Sequence, residues 1–470
     1  MTQYLVCDLD DCLIKTDALY EQWLVLLKKK PLLFLRSILW LFKGKAYFKN
    51  QLATNTSFQA HTLPYRETVL QIIKDFRREQ KGLVILASAS PQAWVDAVAN
   101  HLGLFDRALG STAVQNIKGE NKLQALRTHI GGSAFSYVGD NPADLALWEH
   151  ATEIVAVNPS VLLQSKIKAL NKPTQIVQDH ENPWRPLIKQ IRPHQWVKNA
   201  LVFLPALAGH KILNADVFIN CLLAFAGFSL SASFVYVLND LLDLSSDRNH
   251  HTKKHRPFAS GQLSLKWGLV LLPALLLGAI LLSLPLPPQY AAWIATYLIL
   301  NAAYSFYLKQ SVVIDIIILS MMYTLRIFAG SAASSVAISE WLLSFSTLFF
   351  FSLACVKRCT EILRSKNKIT LDGRGYRQVD YSMIQSLGVG SGLLSVLIII
   401  FYLQSNDVRA LYQNPAALWF ATPVFLFWIS RVWLLTNRDE INDDPVLFAV
   451  KDATSWGCLL ILAAVFGVSL

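Results

Sequence analysis

The chain has 470 residues, is 53% apolar and carries a formal net charge of +11. That length exceeds one ordinary domain, and a positive mean hydropathy points to membrane spans rather than a purely soluble protein. Six cysteines (Cys7, Cys12, Cys221, Cys355, Cys359, Cys458) fall into no metal-like cluster and imply no disulfide framework.

Residues 1–180 read as a soluble α/β domain. Met1-Thr2-Gln3 runs straight into the apolar run Tyr4-Leu5-Val6-Cys7 without a signal-peptide pattern, so this part is expected to stay in the cytoplasm. That run ends in Asp8-Leu9-Asp10-Asp11-Cys12. A second, Leu83 to Ala87, ends in Ser88-Ala89-Ser90-Pro91. A third, Phe135 to Val138, ends in Gly139-Asp140-Asn141-Pro142-Ala143-Asp144, and Lys118-Gly119-Glu120-Asn121-Lys122 opens a helix before it. Three strands thus deliver polar residues at their carboxyl ends, where open α/β sheets build their sites.

These four motifs, in this order, resemble the haloacid dehalogenase-like phosphohydrolases over residues 1–160. The resemblance implies a Rossmann-like α/β domain with a helical cap at about 17–75. It implies Asp8 as the nucleophile that takes the phosphoryl group and Asp10 as the general acid and later base. Ser88 and Lys122 would hold the phosphoryl oxygens, and Asp140 and Asp144, with Asp8, would serve Mg²⁺. A carboxylate attacking a phosphate dianion needs such positive charge. Cys12 departs from the Thr or Ser usual there, a mild change at a loop-supporting position. Within the cap, residues 28–43 carry bases around an apolar, Trp-containing stretch too short to span. An interfacial helix looks like this, and so does a cap helix packed on its own domain.

Residues 160–195 lose strand character and read as a linker (161–191), broken at Pro183, Pro186 and Pro193. From there to residue 470 apolar runs alternate with short polar loops, an all-α polytopic membrane domain over 192–470. Nine spans are expected near 198–213, 216–238, 266–284, 290–308, 312–330, 341–356, 383–404, 416–434 and 452–470, the first and sixth short against the ~20 residues a bilayer needs. Counting Lys and Arg in the loops gives fifteen on the side of the N-terminus and two opposite. This predicts a multi-pass protein of the inner (plasma) membrane with its N-terminal domain cytoplasmic. It also accounts for the net charge by anionic lipid, with no need for nucleic acid.

The sharpest signal ends the second span. Asp240, Asp243 and Asp247 recur at steps of three and four, which on a helix stacks them on one face. Three clustered acids call for a hard divalent cation. Arg248, Lys253, Lys254, His255 and Arg256 follow, so the segment suits a metal-bound diphosphate. Read through Gly261, the block resembles the UbiA-type intramembrane prenyltransferases, over roughly residues 185–470. The resemblance implies an all-helical fold of about nine spans, with the acids and Asn239 holding Mg²⁺ and a diphosphate.

Aromatic prenyltransferases of that family carry a second acid pair at a spacing of four; here Asp315 stands alone, with Leu319 four later. With residues 192–199 and Lys357-Arg358-Cys359-Thr360-Glu361, this looks like the decaprenyl-phosphate phosphoribosyltransferase branch. That branch takes phosphoribosyl pyrophosphate (PRPP) as donor and a polyprenyl phosphate lipid as acceptor. The bases Lys198, Lys254, Arg256, Lys309, Arg326, Lys357 and Arg358 suit such anionic substrates. Arg326 lies inside a span, where a charge costs at least ~2.5 kcal/mol; the bland account is a helix-joining pair with Asp315 or Glu361. Lys366, Lys368, Arg374 and Arg377 are expected in a solvated loop.

The expectation is therefore a bifunctional membrane enzyme: Mg²⁺-dependent transfer of 5-phosphoribosyl to polyprenyl phosphate, then removal of the 5-phosphate by the N-terminal domain. The alternatives are prenyl transfer from a prenyl diphosphate to a small acceptor beside an independent or regulatory phosphatase, and a helical domain that only anchors a phosphatase or binds a lipid. Isoprenoid length and oligomeric state are not readable from the residues.

Overall fold

The computed structural model describes residues 4–79, 81–112, 116–179, 182–364, 374–441 and 444–470. They form two compact units: Met1–Ile191 with Tyr236–Pro273, and Arg192–Val235 with Ala274–Leu470.

In the first unit the chain runs β1 (Tyr4–Cys7), then the helices α1 (Ala18–Lys29), α2 (Pro31–Leu41), α3 (Lys45–Asn55) and α4 (Glu67–Arg78). It continues through β2 (Leu83–Pro91), α5 (Gln92–Leu102), β3 (Arg107–Ser111), α6 (Glu120–Ile130), β4 (Phe135–Gly139), the single turn α7 (Leu145–Trp148) and β5 (Glu153–Val157). It closes with α8 (Val161–Ala169), β6 (Thr174–Val177) and α9 (Trp184–Ile191).

The six strands form one parallel sheet in the order β3-β2-β1-β4-β5-β6. Tyr4 of β1 is level with Leu83 on one side and Phe135 on the other. Both faces are covered. Leu5, Cys7, Val84 and Leu86 enter a core with Leu19, Val69 and Trp94. Val6, Ile85 and Tyr137 enter a second with Leu126, Trp148 and Leu163. Burial on both faces is why the strands read as unbroken apolar runs. The strand order reverses direction at β1, so Asp8 after β1 and Asp140 after β4 flank the switch point where such sheets place ligands.

Two expectations change here. Residues 161–177 are not a bare linker: Leu163 and Ile167 of α8 are buried, and β6 pairs with β5. As the edge strand, β6 buries Val177 alone, so it lacks the alternation by which strands are read. The 28–43 stretch is packed on one side only. On α2, Phe34 and Trp40 pack against the hydrophobic core that Leu5 and Cys7 also enter, while Leu32, Leu35 and Leu39 are 83%, 62% and 62% exposed.

The remaining helices are α10 (Leu204–Ala208), α11 (Ala215–Leu242), α12 (Leu244–Arg248), α13 (Leu265–Ser283), α14 (Pro288–Phe306), α15 (Ile314–Ser334) and α16 (Glu340–Arg364). The chain ends with α17 (Tyr381–Gln404), α18 (Asn406–Leu411), α19 (Ala421–Asn437), α20 (Pro445–Lys451) and α21 (Ala453–Ser469). Among the described residues six helical segments are long and apolar enough to cross a membrane, or seven if α20 and α21, bent by 81° at Asp452, count as one. Of the nine spans expected, 198–213 is a tight helical stretch, Pro193–Phe203, followed by the five-residue α10. The 290–308 span is the 19-residue α14, diluted by Gln289, Asn301 and several hydroxyl side chains. At Gly330 of α15 a Cβ would collide with the Val202 backbone, so only glycine admits this close packing.

Candidate active sites

The first site sits at the carboxyl ends of β1, β2 and β4. Asp8 follows β1 directly, its backbone N–H donating to Val138 at 3.0 Å. Lys122, 3% exposed, brings its Nζ to 2.8 Å from Asp8 Oδ2 and 3.8 Å from Asp144 Oδ1. It also donates to the Tyr137 hydroxyl at 2.9 Å, and that hydroxyl donates to Asp144 at 2.9 Å. Asp144 Oδ2 accepts from the backbone of Asp140 and Asn141 at 3.1 and 3.0 Å. Oxygens of Asp8, Asp140 and Asp144 all lie within 4.8 Å of one another, close enough to share one cation. Asp10 accepts from Ser90 Oγ at 2.6 Å and from Ser88 Oγ at 3.5 Å. Every residue expected at this site is brought together.

Its carboxylates are crowded and buried. Burial raises the Asp8 pKa, Lys122 opposes this and Asp144 adds to it, for a value of about 6. Burial, Asp8 and Asp144 push Asp140 well up. Burial works against the charge of Lys122, but Asp8 and Asp144 outweigh it and its pKa is raised. A hard divalent cation would relieve the crowded carboxylates.

Three contributors were not anticipated. Tyr137 shares its hydroxyl between Lys122 and Asp144. Arg66, 2% exposed, donates to the carbonyls of Cys12 and Asp11 at 2.8 and 3.0 Å and pairs with Asp179. It holds the loop after β1 through its backbone carbonyls. Lys49 of α3 reaches in from the cap insert to donate to Ala89 at 2.7 Å. Burial lowers its pKa against the pull of Asp10 and Asp17.

The acid segment differs from its expectation. The helix stops at Leu242, and Asp243 is non-helical (φ −105°, ψ 16°) before α12 resumes. The three acids therefore do not share one continuous helical face. Asp240 and Asp247, both buried, are bridged by one Arg256 nitrogen at 2.9 and 2.6 Å; Gln190 also donates to Asp240, at 2.8 Å. Asp243 is half-exposed and pairs with Lys28 at 2.7 Å. Burial raises the Asp247 pKa although Arg256 opposes it. Asn239 accepts the Asp243 N–H on its carbonyl at 2.9 Å, and Lys254 is exposed. Arg256 is thus tied to the acids.

In the second unit Asp315, at the start of α15, is fully buried. Arg358 of α16, also fully buried, pairs with it and with Glu361. Arg374 lies 3.2 Å from Asp315 and 3.1 Å from Glu361, and Tyr304 donates to Asp315 at 2.8 Å. Asp315 and Arg358, both expected to meet substrate, are buried against each other as an ion pair. Arg374 also departs from its expected place in a solvated loop, while Lys366 and Lys368 lie outside the described residues. Lys198, buried, pairs with Asp444, a partner the sequence did not indicate. Lys357 and Lys309 are half-buried, and among the described residues Lys357 has no ion-pair partner within 4.0 Å.

Arg326 is 4% exposed and does not make the carboxylate pair considered for it. It donates to Asn199 at 2.8 Å and to the Met322 carbonyl. Its guanidinium lies 5.1, 5.3 and 5.6 Å from the rings of Phe228, Tyr297 and Tyr323. An aromatic cage replaces the counter-ion.

Residues 200–456 match the model of the UbiA prenyltransferase family. Uncharacterized protein y4nM of Sinorhizobium fredii is 36% identical over 466 residues, 98% of this chain and 90% of that one. Nodulation protein NoeC of Azorhizobium caulinodans is 34% identical over 60% of this chain and 92% of its own. Decaprenyl-phosphate phosphoribosyltransferase of Mycolicibacterium smegmatis is 31% identical over 57% of this chain and 86% of its own. With the matched residues and the apolar helices of the same region, the chain is a multi-pass membrane protein that belongs to the UbiA prenyltransferase family of transferases.

Proposed function

We propose that the membrane region, 192–470, transfers 5-phosphoribosyl from PRPP to a polyprenyl phosphate, and that the N-terminal module then removes the 5-phosphate. The observation that carries the choice of donor is Asp315. It is buried and neutralised by Arg358 and Arg374, so it offers no second acidic site for a prenyl diphosphate. The 31% identity to decaprenyl-phosphate phosphoribosyltransferase supports the same reading.

In the transfer, an oxygen of the lipid phosphate attacks the anomeric carbon and pyrophosphate leaves. Asp240 and Asp247 fit a cation, because a single guanidinium nitrogen already bridges them. Mg²⁺ bound there would supply positive charge to the leaving diphosphate. Lys254, exposed in the same segment, suits the remaining phosphate charge.

The N-terminal module we read as a haloacid dehalogenase-like phosphohydrolase in which Asp8, Asp140 and Asp144 would hold Mg²⁺. Asp8 attacks the 5-phosphorus, and the sugar hydroxyl leaves with a proton from Asp10. Asp10 then takes a proton from the water that releases phosphate. Lys122, 2.8 Å from Asp8, stabilises the phosphoryl oxygens. Fusion keeps a membrane-bound product at high effective concentration near the second site. The loop-charge asymmetry supports an inner-membrane protein whose N-terminal module is cytoplasmic.

Incubation with PRPP, Mg²⁺ and polyprenyl phosphate should yield ribosylated lipid by mass spectrometry; its absence refutes the proposal. Prenyl transfer to a small acceptor, which the family description favours, predicts turnover of a prenyl diphosphate with an aromatic acceptor instead.

A further inference from the structure

In the first unit a cavity of about 140 Å³ opens between α1, residues 57–63 and the junction of α11 with α12. It lies apart from the Asp8 cluster, and none of the chemistry above uses it. Leu241 and Leu244 supply an apolar wall, and Gln22, Lys28, Lys29 and Gln59 supply polar groups.

Two features mark it as a built site. Gln22 is 4% exposed, and its Oε1 has no hydrogen-bond partner among the described residues. A buried acceptor without a donor is unfavourable unless something else meets it. Beside it, Lys28 and Lys29 place two ammonium groups at the opening, one on Asp243 at 2.7 Å and one on Ser57 at 3.0 Å. The walls are fixed from below. Arg248 pairs with Glu21 at 2.6 and 3.2 Å, both side chains under a tenth exposed. Arg248 also donates to the carbonyls of Ala259 and Thr62 at 2.9 and 3.3 Å.

We propose that this cavity binds a sugar phosphate. The Gln22 amide accepts a hydroxyl of the sugar after a small turn, Leu241 and Leu244 cover the ring carbons, and the phosphate lies between Lys28 and Lys29. A volume of this order holds a single six-membered ring, which is room for a pentose. Identification of the sugar as ribose rests on the proposed phosphoribosyl chemistry. The ligand is either free pentose phosphate or the same group as a lipid headgroup.

The test is calorimetric titration of the full chain in detergent, with EDTA present so that the carboxylate cluster holds no metal-bound phosphate. Ribose 5-phosphate should bind at least tenfold more tightly than ribose or inorganic phosphate alone. Gln22→Leu and Lys28→Met should each weaken it about tenfold, equivalent to about 1.4 kcal/mol. Gln22→Leu should leave the thermal midpoint equal or higher, because it removes an unpartnered acceptor; a purely structural Gln22 would lower it. Absence of ribose 5-phosphate binding, or equal binding by wild type and both variants, overturns the inference. Titration with polyprenyl-phosphoryl 5-phosphoribose in nanodiscs assigns the source: tighter binding than the free sugar phosphate indicates the headgroup, and equal binding the free form. Lipid products are measured in parallel. If ribosylated lipid forms but neither variant changes ribose 5-phosphate binding, this inference alone fails. If no ribosylated lipid forms yet binding depends on Gln22 and Lys28, the transferase reading alone fails.

Discussion

Arg358→Met tests whether Asp315 joins helices or serves chemistry. Both side chains are fully buried, so the substitution strands Asp315 without its closest cation. Removing one partner of a buried ion pair costs about 3–5 kcal/mol. Arg374 remains 3.2 Å from Asp315 and Tyr304 still donates at 2.8 Å, which favours the lower end, about 3 kcal/mol. For a unit of this size about 2–4 °C accompanies each kcal/mol, so the thermal midpoint in detergent should fall by roughly 6–12 °C. Adding Asp315→Leu removes the stranded charge and should recover at least half of the loss, a coupling that a double-mutant cycle reads directly. The double variant should still form lipid product. A double variant as unstable as the single one, or stable but inactive, would refute the argument that Asp315 and Arg358 neutralise each other without touching substrate.

Tyr137→Phe removes the hydroxyl shared by Lys122 and Asp144 while keeping the ring in its core. The proposed phosphatase kcat toward a soluble phosphomonoester should drop about tenfold, a fraction of what losing a direct oxyanion donor costs, with the thermal midpoint little changed; an unaltered kcat would remove Tyr137 from the site. Asp17→Asn should be pH-selective. Burial, Asp10 and Asp11 raise the Asp17 pKa from 3.8 to about 7. A raised acid binds its proton more tightly when folded, so its stabilising contribution is complete below about pH 4 and lost as pH rises through 7. Asparagine keeps the cap on the Leu19 N–H, which now measures 2.9 Å. The variant should therefore be more stable than wild type at pH 8, by about 4 kcal/mol at most, with a much smaller gain at pH 5. Equal differences at the two pH values would contradict the raised pKa.

What was legible in the sequence was what lies within one motif. Asp8, Asp10, Ser88, Lys122, Asp140 and Asp144 each follow or precede a recognisable strand, and a parallel sheet brings strand ends together wherever they fall in the chain. The partners that hold those motifs were not legible, because the fold alone makes them neighbours. Arg66 is 54 residues from Cys12, Asp315 is 43 from Arg358, and Asp444 is 246 from Lys198. The shared face expected of the acid triplet is lost for a local reason. Its spacing assumes continuous helix, and the backbone leaves the helix at Asp243. Arg326 was legible as a costly intramembrane charge, but its compensation by three rings rather than a carboxylate needed side chains from α11, α14 and α15 in one place.

The central claim is that one chain makes and then dephosphorylates a ribosylated lipid. Mass spectrometry of the lipids formed from PRPP and polyprenyl phosphate, by the intact protein and by Asp8→Asn, tests it most directly. The intact protein should give polyprenyl-phosphoryl ribose, and the variant should accumulate the 5-phosphorylated lipid at an undiminished rate of transfer. The same lipid from both proteins, or no ribosylated lipid from either, would contradict it.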